Sequence, residues 1–244
     1  MKLPDKVKRK IQLCSFIVTL SASTLSVANI DSYKTYMGID LEARVAPFQA
    51  GYGDNLFKKE LLQQNYYFGV MFNPNWGIEL GAQYASFKNN SVTINPGQQG
   101  LNYTIQKNDP SETNIYSSTY KDLYTDIQFF YPTPFIEDLE LTAAIGGVYK
   151  SIFLKETPSM VNGIFQNQAV IAQYTRTFKS RKFIPRISLG TRYFLIDNLG
   201  IRLLFEWENM SRFNNVKSQE SPTAVSEARL KDHYGFAIGL LYQF

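Results

Sequence analysis

The stretch Tyr234-Gly235-Phe236-Ala237-Ile238-Gly239-Leu240-Leu241-Tyr242-Gln243-Phe244 decides the fold. Tyr234, Phe236, Ile238, Leu240, Tyr242 and Phe244 occupy every second position, with Gly235, Ala237, Gly239, Leu241 and Gln243 between them. Successive side chains of a strand point to opposite faces, so this period of two predicts a long β-strand with one broad apolar face.

Seven earlier segments repeat the pattern. From Tyr36 to Val45, Met37, Ile39, Leu41, Ala43 and Val45 oppose Gly38, Asp40, Glu42 and Arg44. From Tyr66 to Asn73, Tyr66, Phe68, Val70 and Phe72 oppose Tyr67, Gly69 and Met71. After a turn at Pro74-Asn75, Trp76, Ile78, Leu80, Ala82 and Tyr84 oppose Gly77, Glu79, Gly81 and Gln83, which predicts a hairpin. Leu123 to Tyr131 sets Leu123, Thr125, Ile127, Phe129 and Tyr131 against Tyr124, Asp126, Gln128 and Phe130. Beyond a turn with Pro132, Pro134 and Asp138, Leu139 to Tyr149 sets Leu139, Leu141, Ala143, Ile145 and Gly147 against Glu140, Thr142, Ala144, Gly146 and Val148. Pro185 to Leu195 sets Ile187, Leu189, Thr191 and Tyr193 against Arg186, Ser188, Gly190, Arg192 and Phe194. A turn at Asp197-Asn198 leads to Ile201, Leu203, Phe205 and Trp207 against Arg202, Leu204, Glu206 and Glu208.

Connections after the second, fourth and sixth segments are short; 47–65, 87–122, 150–184 and 209–233 are long and rich in Asn, Gln, Ser and Lys. Strict alternation of short and long connections predicts an all-β fold: an eight-stranded antiparallel up-and-down transmembrane β-barrel with short periplasmic turns and four long extracellular loops. In hydrocarbon every backbone N–H and C=O must find an internal partner, so a spanning sheet has to close. Mean hydropathy is negative, and after the N-terminus no run approaches the roughly 20 apolar residues of a spanning helix. Aromatics make up 15% of the chain, and Tyr66, Phe72, Trp76, Tyr84, Tyr131, Tyr193, Trp207, Tyr234, Tyr242 and Phe244 fall where interfacial girdles need them.

Residues 1–28 read as a cleaved signal peptide: Lys2, Lys6, Lys8, Arg9 and Lys10, an apolar stretch from Ile11 to Leu25, then Ser26-Val27-Ala28 before the cut at Asn29. Residues 29–244 are then the barrel domain. The formal charge of +4 is accounted for by the leader, so the mature chain is near neutral and nucleic acid is not an expected partner. The one cysteine, Cys14, lies in the leader, and no cofactor or metal motif stands in the sequence.

Asp40, Glu42, Arg44, Glu79, Asp126, Glu140, Arg186, Arg192, Arg202, Glu206 and Glu208 share the face opposite the apolar one. Such charges are too costly to hold against lipid, and an interior of eight strands is just wide enough for side chains to fill. They are expected to pair across the lumen. The inward Gly38, Gly69, Gly77, Gly81, Ala144, Gly146, Gly190, Gly235 and Gly239 either leave room for a pore or make room for Arg and Tyr.

On these segments the mature chain resembles the small eight-stranded outer-membrane barrel family that includes the OmpA transmembrane domain, OmpX and OmpW. Its last strand resembles the signal read by the barrel-assembly machinery, which implies that role for Gly239, Tyr242 and Phe244. OmpA continues into a peptidoglycan-binding domain absent here, so cell-wall anchoring is not implied. The resemblance implies a monomer in the outer membrane of a Gram-negative bacterium, in contact with membrane lipid and lipopolysaccharide. The expected function is non-enzymatic, in adhesion or envelope integrity through loops that meet host or cell-surface ligands. The run Arg176-Thr177-Phe178-Lys179-Ser180-Arg181-Lys182 is read as a loop in which Arg176, Lys179, Arg181 and Lys182 face an anionic partner. Two alternatives stand beside it. One is a narrow OmpW-like channel for small solutes. The other is a lipid A-modifying enzyme similar to PagP or PagL, built on the single histidine, His233, with Ser211, Ser226, Glu227 and Asp232 near it in sequence.

Overall fold

A computed structural model describes residues 33–50, 53–86, 89–98, 100, 105–161, 164–165, 175–211, 217–218 and 228–244. The expected signal peptide and cleavage site, with Ser226 and Glu227, lie outside the described residues.

The described strands are β1 (Lys34–Val45), β2 (Glu60–Asn73), β3 (Trp76–Ser86), β4 (Asn90–Ile94), β5 (Glu112–Pro132), β6 (Leu139–Val161), β7 (Ile164–Phe165), β8 (Arg176–Ile196), β9 (Leu199–Glu208), β10 (Lys217–Ser218) and β11 (His233–Gln243). Eight of them, β1-β2-β3-β5-β6-β8-β9-β11, form an antiparallel ring that closes by pairing β11 with β1. The short strands β4, β7 and β10 pair with β5, β6 and β8 at the end with long connections, the loop end.

The registers fix the barrel's shape. Thr35 opposes Val70, then the ladder runs Ile78, Ile127, Ile145, Ile187, Trp207, Tyr234 and back to Val45. One circuit therefore returns to β1 ten residues nearer the loop end, from position 35 to 45. A staggered ring of this kind has strands tilted about 35–45° to its axis and an interior that side chains fill.

Its outer surface is an apolar belt. Ile39, Leu41, Phe68, Ile127, Ile145, Leu189, Leu203, Phe236 and Ile238 all point outward and are exposed. At the turn end the belt is edged by Trp76, Tyr131, Tyr193 and Tyr242, and at the loop end by Tyr84, Tyr149, Phe183 and Tyr234. Trp76 and Tyr84 stand eight residues apart on β3, about 20 Å along the axis at about 3.3 Å per residue and about 40° of tilt. That matches an apolar band of about 25 Å with aromatic edges.

The strands run farther than their apolar pattern. β5, β6 and β8 hold 21, 23 and 21 residues, about twice the roughly 9–11 that span a bilayer. Segments 87–122 and 150–184, expected as loops, instead contain β4 and the loop-end halves of β5, β6 and β8. Segment 47–65 contains the start of β2. Arg176-Lys182 is thus part of a strand paired along β6, not a loop.

Beyond the belt the two faces exchange character. Tyr116, Tyr120, Ile152, Leu154, Phe178 and Ile184 are buried inside, while Ser117, Thr119, Lys121, Lys155 and Arg181 take the outward positions. Outside is now water, so the apolar residues turn inward. They pack with Phe48, Phe57, Met210 and Leu230 into a cap over the loop end. Phe48 stacks on Phe57 at 5.0 Å, and Phe57 meets Tyr116 edge-on at 5.6 Å. The backbone pins this cap in place: Gln49 N donates to Arg229 O at 2.8 Å and Lys231 N to Pro47 O at 2.9 Å.

Candidate functional site: the barrel lumen

Inward positions of all eight ring strands deliver polar groups to one continuous column. Nearest the turn end, Arg192 on β8 pairs with its direct ladder neighbour Glu140 on β6. Its guanidinium lies 3.8 Å from the Phe130 ring centroid and 5.2 Å from that of Tyr36.

Above it, Arg202 on β9 grips Asp40 with Nη2 at 2.5 Å and Nε at 3.0 Å, and reaches Glu79 with Nη1 at 2.8 Å. Glu79 also accepts the hydroxyls of Tyr36 at 3.0 Å and Tyr124 at 2.8 Å, and Asp40 accepts Asn65 Nδ2 at 2.8 Å. Tyr67 stacks beneath the Arg202 guanidinium at 3.4 Å.

Next come Arg186 and Arg44. Arg186 lies 2.5 Å from Glu206 and 3.3 Å from Asp126, over the Tyr124 ring at 3.9 Å. Arg44 bridges Glu42 at 2.7 Å, Glu206 at 2.7 Å and Glu208 at 2.5 Å. Lys150 closes the column, 2.5 Å from Asp122 and 2.9 Å from Glu208.

Glycines set who meets whom. Asp40, Gly239 and Arg202 lie on one ladder row, and the ion pair forms across the intervening strand over Gly239. Arg44 reaches Glu206 over Gly235, Asp126 reaches Arg186 over Gly146, and Tyr36 reaches Glu79 over Gly69 in the same way. A Cβ on Gly69 would fall within the Tyr36 ring, and one on Gly146 or Gly239 on the Asp126 or Asp40 carboxylate. In these four rows the missing side chain is space for a partner, not for solute.

The column is buried and acidic. Arg44, Lys150, Arg186, Arg192 and Arg202 face Asp40, Glu42, Glu79, Asp122, Asp126, Glu140, Glu206 and Glu208, and apart from Glu140 none is more than 3% exposed. Removing one partner of a buried pair leaves an uncompensated charge, at about 3–5 kcal/mol. Among the described residues no group of three or more His, Cys, Asp or Glu side chains is placed to hold a metal.

Asp122 and Lys150 belong to the column although they lie in stretches that read as loops in the sequence. The signal was their spacing: Asp122 continues the inward series Tyr124, Asp126, and Lys150 continues Ala144, Gly146, Val148. Arg176, Lys179, Arg181 and Lys182 do not form one surface. Arg176 and Lys182 hold the inward spacing, with Arg176 3.8 Å from Glu156, whereas Lys179 and Arg181 hold the outward one. Tyr242 and Phe244 meet edge-on at 5.0 Å, and Phe244 N donates to Thr35 O at 2.8 Å. His233 is fully buried, its Nδ1 3.7 Å from Glu208 and its ring 5.7 Å from that of Tyr120. Ser211 is exposed, and Asp232 accepts the Met210 N–H at 2.9 Å.

No protein-family model matches the chain, and no curated protein matches it. Among solved structures it is similar to Ail, the attachment invasion locus protein of Yersinia pestis, at 12% identity and TM-score 0.47, over 87% of this chain and 99% of that one. It is also similar to the outer membrane protein OprG from Pseudomonas aeruginosa, at 12% identity and TM-score 0.46, over 87% of this chain and 96% of that one. A major outer membrane protein from Thermus thermophilus follows at 13% identity and TM-score 0.45, over 85% and 99%. At these values no residue's role is carried across.

Proposed function

We propose that the chain is a non-enzymatic surface protein of a Gram-negative outer membrane, a sealed barrel that holds a loop-end sheet outward for adhesion or envelope integrity. The reading rests on the lumen. Its charged side chains are paired and buried from Arg192 to Lys150, and among the described residues an apolar cluster lies over the loop end. A conduit for solutes needs wetted walls, and an enzyme acting on lipid needs an accessible base. His233, the one histidine, is 0% exposed beneath that cap. Among the described residues, what extends past the belt is the sheet of β4, β5, β6, β7, β8 and β10. Monomeric assembly suits a belt that already pairs all its edges.

The test is to shorten the loop-end sheet while leaving the ring intact, by replacing 156–176 with a short turn, which removes the loop-end tip of β6 and β7. Folding is read from heat-dependent gel migration, and binding from adherence of expressing cells to host-cell and glycan surfaces. The expected result is a folded barrel with adherence reduced severalfold. Unchanged adherence, or none in the parent protein to any such surface, contradicts the adhesion reading.

A further inference from the structure

On one side of the barrel the outward face turns cationic directly beyond the apolar belt. Leu123, Tyr149 and Phe183 form one ladder row across β5, β6 and β8, and all three are exposed. The next outward row is Lys121–Ser151–Arg181, and the one after it Thr119–Phe153–Lys179. Lys121 and Arg181 each stand two residues beyond the last exposed apolar residue of their own strand, about 5 Å farther along the axis at about 3.3 Å per residue and about 40° of tilt, and the stagger of the ring sets Arg181 about 6 Å nearer the loop end than Lys121. Lys179 stands two residues higher, and Lys155 falls in the row after that, opposite Thr177.

Among the described residues no acid on this face neutralises them. None of Lys121, Lys155, Lys179 and Arg181 makes an ion pair among the described residues. Within 117–123 and 149–156 the carboxylates are Asp122 and Glu156, both buried on the inner face. Aromatic rings hold the cations instead: Lys121 Nζ is 5.7 Å from the Tyr84 centroid and Lys179 Nζ 4.8 Å from that of Phe153. Desolvation, then the like charges of Arg181 and Lys121, push the Lys179 ammonium below its ordinary value. Across the barrel, the matching outward position, two residues beyond Leu62 on β2, is the acid Glu60, with Lys58 and Lys59 exposed just past it.

We propose that this face binds phosphate groups of lipid in the loop-side leaflet, with Lys121 at the inner edge of the phosphate layer, Arg181 within it, Lys179 above them, and Tyr149 and Phe183 against the acyl chains. Depth selects the source: cations a few ångströms beyond a lipid-facing aromatic row meet headgroups. The inference rests on the outer-membrane reading above, yet it is tested on purified protein and can fail while that reading stands.

The full chain, refolded in neutral detergent, is titrated with bisphosphorylated lipid A and with the same lipid stripped of both phosphates, and retained lipid is read by native mass spectrometry. Basic residues near an anionic lipid surface act roughly additively, so the expected preference for the phosphorylated lipid is about tenfold or more. The K121A/K179A/R181A variant should lose it, whereas K58A/K59A/K107A should keep it. Equal retention of both lipids by the parent protein overturns the proposal, as does a preference kept by the first variant. Displacement of the lipid by an equal concentration of inorganic phosphate also overturns it, because the site would then be one for free phosphate. If K121A/K179A/R181A does not fold, the comparison of the two lipids on the parent protein decides alone.

Discussion

Arg202 is placed to hold three elements at once, through Asp40 on β1, Glu79 on β3 and the Tyr67 ring on β2. Truncating it to alanine strands two buried carboxylates, so Arg202→Ala should lower unfolding free energy by about 3–5 kcal/mol, read by urea titration in lipid vesicles. Gly146→Val should do comparable damage with no charge removed, because its side chain would stand between Asp126 and Arg186. A Gly146→Val variant as stable as the parent would sink the view that glycines place the pairs. The sequence puts Arg202, Asp40 and Glu79 on one face, but it does not say which of them meet. That depends on the ten-residue stagger of the closed ring, a property of all eight registers together. The part played by Gly239 was hidden for the same reason: in the sequence it is one residue of a terminal pattern, and in the barrel it is the gap between Asp40 and Arg202.

Strands are legible where one side is lipid and the other is not. Ile127 and Asp126 differ so sharply in surroundings that alternation alone marks β5 at that level. Farther along the same strand, Ser117, Ser118 and Thr119 give no such contrast, and the stretch reads as a loop although it is paired to β6 throughout. The exchange of faces between Leu123 outside and Tyr120 inside locates the edge of the belt. Accordingly Ile127→Arg should destabilise the barrel in a bilayer by about 2–4 kcal/mol, as a cation near mid-belt does. Ser117→Arg, on the same outward face beyond the edge, should change stability by less than about 0.5 kcal/mol. Equal effects in vesicle unfolding would mean that the belt is misplaced. At the last strand, Phe244 lies past β11 with its N–H bonded to Thr35 and its ring against Tyr242. If that end guides insertion, Phe244→Ser should lower the amount of folded protein in the membrane fraction severalfold, with little change in the stability of what does fold.

At the scale of the whole molecule, the structure is inverted at two levels. Within the belt it is apolar outside and ionic inside; beyond the belt it is polar outside and apolar inside. Eight strands and a stagger of ten leave an interior that side chains fill. Five cations set among eight carboxylates make the column a set of ties between strands, and any leak through it would favour cations. The most direct test is single-channel recording of the refolded full chain in planar bilayers. The expected trace shows no stable conductance step above the bare bilayer in molar salt. A sustained, reproducible open current would mean that the column is wetted and the lumen is a path rather than a seal.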